Sequence, residues 1–571
     1  MRFESWDIKG FDRQAAVELC RYGINPLAAV FMSSRGITSV EAAEWFLNND
    51  AAKLYDPFLL ADMAAAVARI QKAVDTGENI AIYGDYDVDG MTATALLVKY
   101  FRSRGLSPEV YIPSRTDEGY GLNRPALDAL STRGISLIIT VDCGITGIAA
   151  AKYAKELGIE LIITDHHECK EELPCAVAVI NPKRVDCRYP NKTLAGVGVA
   201  FKLVCAVEKE MPIEELLDAY SDFVAIGTIA DVMPVVGENR ALIRYGLKML
   251  NSSPRPGLRQ LMNETCPERK TISTVAIAFV LAPRLNAAGR MGRTSLSVEL
   301  LLTDSSDEAQ ELTRELCMLN DERRKIEAGI FEEASQMAKE ITVKGPLVLA
   351  KRGWFQGVMG IIAARIAEQN LFPALLISID ENGIGKGSCR SFGSFRLHTA
   401  LLNCGDLLES YGGHEMAAGL MIKEENIEAF TKQLNEYYHE NVKIFPVPTL
   451  RIDFEVEKPG LLTLENIESL VSLEPFGNKN PTPVLCIKNA TLVSARSVGD
   501  GRHTRLKVEK SGTFFDCIFF ARAAGEIDAA PGESVDAAFE PVVNEFRGRR
   551  SVQLQLVDIK KVSGEHQTNK A

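Results

Sequence analysis

The stretch Gly84-Asp85-Tyr86-Asp87-Val88-Asp89-Gly90 follows directly on a short apolar run, Ile80-Ala81-Ile82-Tyr83. The run has the length of a buried strand, and three carboxylates stand at alternate positions just after it. Carboxylates this close repel one another unless a cation neutralises them. A single Asp here would indicate a turn or a helix cap, whereas three within five residues favour a metal site.

Acidic residues recur at the ends of later apolar runs. Residues 137–141 (LIITV) lead into Asp142, and residues 161–164 (LIIT) lead into Asp165-His166-His167. The chain has only seven His, and neutral imidazole beside carboxylates suits Mn or another transition metal better than Ca. A further apolar stretch ends in Asp231, which alone indicates a helix or turn cap and together with the others indicates another ligand.

The apolar runs alternate with helical stretches near residues 92–104, 124–133 and 147–156. Short buried strands alternating with helices predict βαβ units and a mainly parallel sheet. Because ligands of such sheets lie at the carboxyl ends of the strands, the acidic residues are expected to converge there. Two divalent ions held about 3.5–4 Å apart would activate water and stabilise a leaving phosphate oxygen. No P-loop motif occurs, so the pattern favours hydrolysis.

Composition excludes several classes of protein. The 571 residues are enough for roughly three to four domains. The net charge of −12 argues against a histone-like binder, so nucleic-acid contacts would need a local basic patch or metal ions. No apolar run is long enough to span a membrane, and the 12 Cys include no C-x-x-C pair. These features predict a cytoplasmic protein with reduced thiols.

The remaining chain has three further regions. Residues 1–60 are polar and helix-prone, and we expect them to form a leader packed on the first domain. Residues 306–341 keep helical periodicity without Pro, which predicts a long helix connecting two domains. A second α/β region follows, and after Pro446-Val447-Pro448 short β-rich runs predict a small barrel.

The predicted barrel is the part of the chain least repulsive to DNA. Residues 448–571 carry 16 Lys and Arg against 17 Asp and Glu. Basic clusters at 502–510 and 547–550 flank Phe514, Phe515, Phe519 and Phe520. Basic grooves with aromatic platforms bind single strands, but a solvated β face over core Phe residues accounts for the same pattern equally well.

These motifs resemble the DHH phosphoesterase superfamily, named for an Asp-His-His such as Asp165-His166-His167. Further matches cover nearly the whole chain and are similar to the RecJ family of single-strand-specific 5′→3′ DNA exonucleases. They are Ile112-Pro113-Ser114-Arg115, Glu118-Gly119-Tyr120-Gly121, residues 194–202 (LAGVGVAFK), residues 283–291 (PRLNAAGRM), residues 385–391 (GKGSCRS), residues 412–419 (GGHEMAAG) and residues 474–477 (EPFG).

The resemblance implies an α/β multidomain protein. It would comprise an N-terminal leader at 1–60, a parallel-sheet DHH catalytic domain at 61–255, and a helical region with a connecting helix at 256–342. A DHH-associated, substrate-binding α/β domain would follow at 343–440 and an OB-fold nucleic-acid-binding barrel at 448–562.

The resemblance also implies a site with two divalent ions, Mn²⁺ or Mg²⁺. Many relatives have a metal-binding His where this chain has Tyr83, and Asp85 is expected to replace it. His167 is expected to contact phosphate or to support a ligand, and Asp142 to bridge the ions. The implied metal ligands are Asp85, Asp87, Asp89, Asp142, His166 and Asp231.

By the same resemblance, basic and polar side chains hold the phosphates near the 5′ end. They are Arg115, Arg284, Arg290, Arg390, Ser391 and His414. The chain departs from the family pattern at Phe355 (usually His), Cys389 (usually Gly) and Lys479 (usually Gly). These departures bear on substrate length and on handling of the 5′ end, and they would fit a divergent paralogue.

The implied activity is hydrolysis of single-stranded DNA to mononucleotides in DNA repair and recombination. A monomer is expected, with a single-strand-binding protein and a helicase as partners. Two alternatives remain open: a DHH phosphodiesterase acting on short oligoribonucleotides or cyclic dinucleotides, and a catalytically idle nucleic-acid-binding paralogue.

Overall fold

The computed structural model describes residues 3–48, 54–114, 118–269, 271–342, 344–443 and 447–562. The chain divides into two compact units. The terminal unit combines Met1–Asp50 with Val447–Ala571, and the central unit is Ala51–Pro446. Within the described ranges, no helix is both long enough and apolar enough to cross a bilayer.

The N-terminal segment packs on the C-terminal barrel. It comprises β1 (Ser5–Ile8), α1 (Arg13–Arg21), α2 (Pro26–Ser34) and α3 (Val40–Leu47). Leu19, Leu27 and Phe31 share one core with barrel residues such as Leu473 and Phe539. The expectation that residues 1–60 pack on the first domain is therefore wrong for α1 and α2, whereas Leu60, at the end of that segment, does belong to the core of the first domain. An amphipathic helix reveals that one face must be buried but not which partner buries it.

The central unit begins with a parallel sheet, as predicted. Its strand order is β3-β2-β4-β5-β6, and every neighbouring pair is parallel. The elements are α4 (Met63–Thr76), β2 (Ile80–Tyr83), α5 (Val88–Ser103), β3 (Glu109–Tyr111), α6 (Arg124–Thr132), β4 (Leu137–Val141), α7 (Ile148–Glu156), β5 (Glu160–Thr164) and β6 (Ala178–Ile180).

Helices follow, of which α8 packs on β4 and β5, and they lead to the next domain. They are α8 (Gly196–Val207), α9 (Ile213–Ala230), α10 (Gly237–Ser252), α11 (Pro256–Thr265), α12 (Thr274–Ala276), a π-helical turn (Ile277–Leu281), α13 (Ala282–Arg290), α14 (Ser295–Leu302) and α15 (Ser306–Glu340). The predicted connecting helix is confirmed as α15, which has 35 residues. Ser305 caps its N-terminus by accepting from the amide of Glu308.

The second α/β domain has a mixed five-stranded sheet in the order β10-β11-β9-β8-β7. Only β7 and β8 are parallel. The elements are β7 (Leu347–Arg352), α16 (Gln356–Asn370), β8 (Ala374–Ile379), β9 (Ile384–Arg390), α17 (Leu397–Asn403), β10 (Leu408–Gly413), β11 (Ala417–Lys423) and α18 (Ile427–Asn441).

The barrel of the terminal unit is closed, because β14 pairs with both β15 and β17. The strand order β14-β15-β16-β18-β17 makes the predicted OB-type barrel. Its elements are β12 (Thr449–Ile452), β13 (Phe454–Glu455), α19 (Leu464–Ser469), β14 (Leu485–Val498), β15 (His503–Lys510), β16 (Thr513–Phe519), β17 (Ser534–Phe546) and β18 (Arg549–Lys561). Strand β1 pairs in parallel with β12.

Candidate metal centre and substrate groups

The loop after β2 is held tightly against the start of α5. The Asp87 side chain caps this helix by accepting from the amides of Asp89 and Gly90 at 2.9 and 3.1 Å. A Cβ on Gly90 would lie 2.6 Å from the backbone oxygen of Asp85, so only glycine fits there. This close packing keeps all three carboxylates at the carboxyl edge of the sheet.

The N-terminus of α8 approaches the same edge. The amides of Gly196 and Val197 donate to Asp89 at 2.6 and 2.8 Å. A Cβ on Gly196 would lie 2.5 Å from the Cβ of Asp142, so glycine is required for the approach. These amides belong to residues 194–202 (LAGVGVAFK), for which the sequence predicted no specific role.

Asp142 lies at the centre of the cluster. It directly follows β4, its side chain is buried, and its φ of 60° is in the left-handed region, which Asp tolerates better than most residues. His166 Nε2 lies 3.0 Å from its Oδ1, 3.6 Å from Asp231 Oδ2 and 3.8 Å from Asp89 Oδ2. Neither His166 Nε2 nor Asp142 Oδ1 has a hydrogen-bond partner among the described residues. Buried polar atoms that converge in this way fit a shared cation.

The ligand atoms fall into three compact groups, each within 4.8 Å. They are Asp85, Asp87 and Asp142; Asp89, His166 and Asp231; and Asp142, His166 and His167. Asp142 is common to two of these groups, and all six expected metal ligands are brought together. Asp231 lies at the C-terminal cap of helix α9 rather than after a strand.

Tyr83 is directed elsewhere. Its hydroxyl donates to the carbonyl of Gly121 at 2.9 Å and accepts from Asn123 at 3.1 Å. Its ring stacks on Tyr111 with the centroids 5.2 Å apart. Tyr83 belongs to none of the three ligand groups, whereas Asp85 belongs to one.

Burial and mutual repulsion make the carboxylates costly to ionise without a cation. Burial first, and then neighbouring carboxylates such as Asp231 and Asp87, hold the pKa of Asp89 well above its usual value. The same two causes raise the pKa of Asp142 and bring that of Asp231 to about 7. A bound divalent ion would reverse this penalty.

The two adjacent histidines differ in charge. Burial lowers the pKa of His166 to about 3, so its ring is neutral and can ligate. Burial also disfavours the charged form of His167, but the hydrogen bond and charge of Asp165 outweigh it and raise the pKa of His167 to about 9. His167 Nδ1 lies 2.8 Å from Asp165 Oδ1 and 3.0 Å from the hydroxyl of Tyr120. In the absence of metal ions, the contact with Asp165 therefore favours the protonated form of His167 beside the ligands.

Asp165 has a different function from its neighbours. Its side chain accepts from the amides of Ile145, His166 and His167, in addition to the ring of His167. Although burial raises its pKa, the hydrogen bond from His167 and its charge lower it overall. Asp165 orients the His-His pair and belongs to none of the ligand groups.

The candidate phosphate contacts are distributed over the central unit. Arg290 Nη1 donates to the carbonyl of Gly357 at 3.1 Å, which joins α13 to α16. Arg284 Nη1 donates to the carbonyl of Val280 on the same helical segment. His414 is exposed, and its amide donates to Ala417, the register partner of Arg390. Arg115 lies outside the described residues.

Arg390 contacts Ser388, the serine two residues before it on β9. Its Nη1 donates to the carbonyl of Cys389 at 2.8 Å and lies 3.4 Å from Ser388 Oγ. Ser391 instead donates to the carbonyl of Phe395. A Cβ on Gly360 would lie 2.7 Å from Arg390 Nη2, so the absence of a side chain at this position of α16 leaves room for the guanidinium. Sequence reasoning assigned no role to Ser388 or Gly360, although strand alternation places Ser388 on the same face as Arg390.

The aromatic residues of the barrel divide between core and surface. Phe515 and Phe519 are buried, whereas Phe514 and Phe520 are half-exposed. The ammonium of Lys507 lies 5.2 Å from the centroid of the Phe514 ring. The core interpretation is therefore confirmed for Phe515 and Phe519, and Phe514 and Phe520 stay candidate stacking platforms.

Three family models match the chain. That described as "DHH family, N-terminal domain" matches residues 79–228, the DHHA1 domain matches 343–440, and the RecJ OB domain matches 452–558. The chain is 38% identical over 560 residues to the single-stranded-DNA-specific exonuclease RecJ of Bacillus subtilis, covering 97% of this chain and 70% of that protein. It is 34% identical to the Escherichia coli protein of the same name, covering 94% and 96%.

A solved structure agrees with these sequence matches. The crystal structure of RecJ from Thermus thermophilus in complex with Mn²⁺ superposes with a TM-score of 0.84 at 31% identity, covering 98% of this chain and 80% of that one. The similarity therefore extends over both compact units.

Proposed function

The chain belongs to the RecJ family of single-stranded-DNA-specific exonucleases, and on that premise we propose that it hydrolyses single-stranded DNA from the 5′ end to mononucleotides with two divalent ions. The observation that carries this proposal is the pair of ligand groups around Asp142 and His166. Mn²⁺ or Mg²⁺ suits the set, because the donors are carboxylates with one neutral imidazole.

Two of the three ligand groups would each hold one ion. Asp85, Asp87 and Asp142 are the proposed ligands of the first, and Asp89, His166 and Asp231 of the second. When bound, two such ions activate a water and stabilise the leaving oxygen of a phosphodiester. His167, kept protonated by Asp165, would donate to the scissile phosphate. Gly196 and Val197 would fix the carboxylate of Asp89 through their amides.

The second α/β domain would hold the 5′ phosphate. We assign this contact to Arg390 with Ser388, and we assign Arg115, Arg290 and His414 to neighbouring phosphates. Because Ser391 is hydrogen-bonded to Phe395, it would support the loop instead. Arg284 lies beside Cys317 on α15, and we assign it the role of positioning α13.

The two alternatives have less support. A complete set of ligand side chains argues against an idle paralogue. The barrel, which carries the exposed ring of Phe514 beside Lys507, argues against an enzyme restricted to dinucleotides, because stacking platforms favour longer strands.

We further propose that the protein acts in the cytoplasm as a monomer in repair and recombination, with a single-strand-binding protein and a helicase as partners. The 12 cysteines are all free, although Cys175 is exposed, and free thiols fit a reducing compartment. Sedimentation of the purified protein tests the monomer.

The activity is tested with Mn²⁺ and single-stranded DNA labelled at either end, beside a duplex and a dinucleotide. We expect a labelled mononucleotide to appear at once from the 5′-labelled strand and only late from the 3′-labelled strand. Internal cleavage, or turnover of the dinucleotide alone, would overturn the proposal.

Arg390→Lys is expected to raise KM for 5′-phosphorylated DNA about tenfold, because a point charge cannot replace a bidentate fork. DNA with a 5′ hydroxyl should be affected much less. Steady-state kinetics on both substrates measure the difference. Arg352→Lys is the matched control, since Arg352 is an arginine of the same domain that is paired with Glu424. Equal losses on both substrates would contradict the assignment.

A further inference from the structure

Lys479 in the terminal unit has an unusual backbone conformation. Its φ is 63°, in the left-handed region that glycine adopts without steric cost. It belongs to a tight turn in which Gly477 and Asn480 exchange backbone hydrogen bonds of 2.8 and 3.1 Å. The family pattern noted above has glycine here, so this chain has a charged side chain at a position where the backbone conformation favours glycine.

Arg35 of the N-terminal segment fixes the turn through its side-chain hydrogen bonds. Arg35 binds both carboxylate oxygens of Asp453 at 3.0 and 3.1 Å and the side-chain oxygen of Asn480 at 3.0 Å. The amide nitrogen of the Asn480 side chain donates to the carbonyls of Leu473 and Pro475. The conformation of the turn that carries Lys479 is therefore fixed before any ligand binds.

A cavity of about 700 Å³ opens beside this turn, and we call it the Lys479 cavity. Its lining includes Lys9, Arg35, Arg451 and Lys479, with Asp453 as the single carboxylate. Because Arg35 already neutralises Asp453, three positive charges remain. The side chains of Lys9, Arg451 and Lys479 make no ion pair or hydrogen bond with another described residue. Asp7, the register partner of Arg451, is not within ion-pair distance of it.

The rest of the wall suits a phosphate backbone better than an acidic peptide. Thr482 and Asn478 line it together with main chain, and no aromatic side chain does. Leu450 and Ile452 are buried, so Pro481 and Val484 are the apolar side chains that the wall exposes. Several cations on a fixed polar wall favour sequence-independent contacts to successive phosphates.

We propose that the Lys479 cavity binds backbone phosphates of single-stranded DNA, at a site separate from the metal centre of the central unit. This inference rests on the proposed function, because it takes that enzyme's substrate as the ligand. It assigns to the N-terminal segment, through Lys9 and Arg35, a part in DNA binding.

The test is fluorescence anisotropy with a labelled oligothymidylate of about 40 nucleotides in EDTA, over roughly 50 to 300 mM KCl. Lys479→Gly is expected to raise Kd about three- to tenfold and to reduce the slope of log K against log salt by about 0.7. Combining it with Lys9→Gln and Arg451→Gln should reduce the slope by about 2. Glycine is compatible with the turn, so the unfolding midpoint should not fall.

Lys458→Gln is the matched control, since Lys458 is exposed in the same unit and does not line the cavity. It should leave both Kd and slope unchanged. Unchanged values in the triple variant would overturn the inference. So would a glutamate-rich peptide that binds wild type but not Lys479→Gly while the DNA slope stays constant. Hydrolysis of a short oligonucleotide in Mn²⁺ is measured separately, so loss of that activity would overturn the proposed enzyme and not the phosphate site.

Discussion

Asp142→Asn is expected to lower kcat on single-stranded DNA by at least about a thousandfold, which corresponds to roughly 4 kcal/mol of transition-state stabilisation. Asp142 is a proposed ligand of the first ion, and its Oδ1 lies 3.0 Å from Nε2 of His166, a proposed ligand of the second, so removing its charge weakens both proposed ion sites. Asn keeps the shape of the side chain and tolerates the φ of 60°. The loss should therefore be electrostatic and not a consequence of backbone strain. Single-turnover cleavage in saturating Mn²⁺ measures it.

The same variant should be more stable than wild type in EDTA, because the pKa of Asp142 is raised by burial and by neighbouring carboxylates. Opposite effects on activity and stability distinguish a functional ligand from a structural residue. Asp500→Asn is the control, since it makes the same substitution at φ 55° in the exposed loop before β15. Turnover of the Asp142→Asn variant within tenfold of wild type would contradict the two-ion assignment.

Much of the catalytic sheet could be predicted from sequence. The apolar runs at 80–83, 137–141 and 161–164 correspond closely to β2, β4 and β5, because fully buried strands bounded by polar turns leave little ambiguity. Convergence of Asp89, Asp142 and His166 then followed from the geometry of a parallel sheet. For Asp231 the pattern predicted a helix or turn cap, which is confirmed, but it could not show that the apolar stretch before it is a helix, since short apolar runs suit a buried helix as well as a strand.

Contacts between distant segments could not be predicted from periodicity. Nothing in residues 1–50 indicates that α1 and α2 are buried by the barrel, because the pattern of apolar residues defines a face without naming its partner. The contact of Ser388 with Arg390 has a similar origin. Strand alternation places both side chains on one face of β9, but it does not show that this face meets α16.

In protein stripped of divalent ions, the free energy of unfolding is expected to fall as pH rises from about 6.5 to 8.5. The pKa of His167 is raised from 6.5 to about 9, so its stabilising contribution is complete below 6.5 and is lost as pH approaches 9. The pKa of Asp231 is raised from 3.8 to about 7, so its contribution is lost between about 4 and 7. The pKa of His166 is lowered to about 3, so this residue makes stability rise with pH, but only below pH 6.5.

Mn²⁺ should reverse that trend, because it binds the deprotonated carboxylates and neutralises their repulsion. An ion present at a hundred times its Kd stabilises by about 2.7 kcal/mol, so two ions should raise the unfolding midpoint by roughly 5 °C at pH 8. The gain should shrink towards pH 5.5, where protons compete for the same oxygens. Thermal unfolding in Mn²⁺ and in EDTA at both pH values measures the gap, with Asp142→Asn protein in the same two solutions as the control. A gap that is equal at the two pH values, or larger at pH 5.5, would mean that the ions bind somewhere other than the Asp142 cluster.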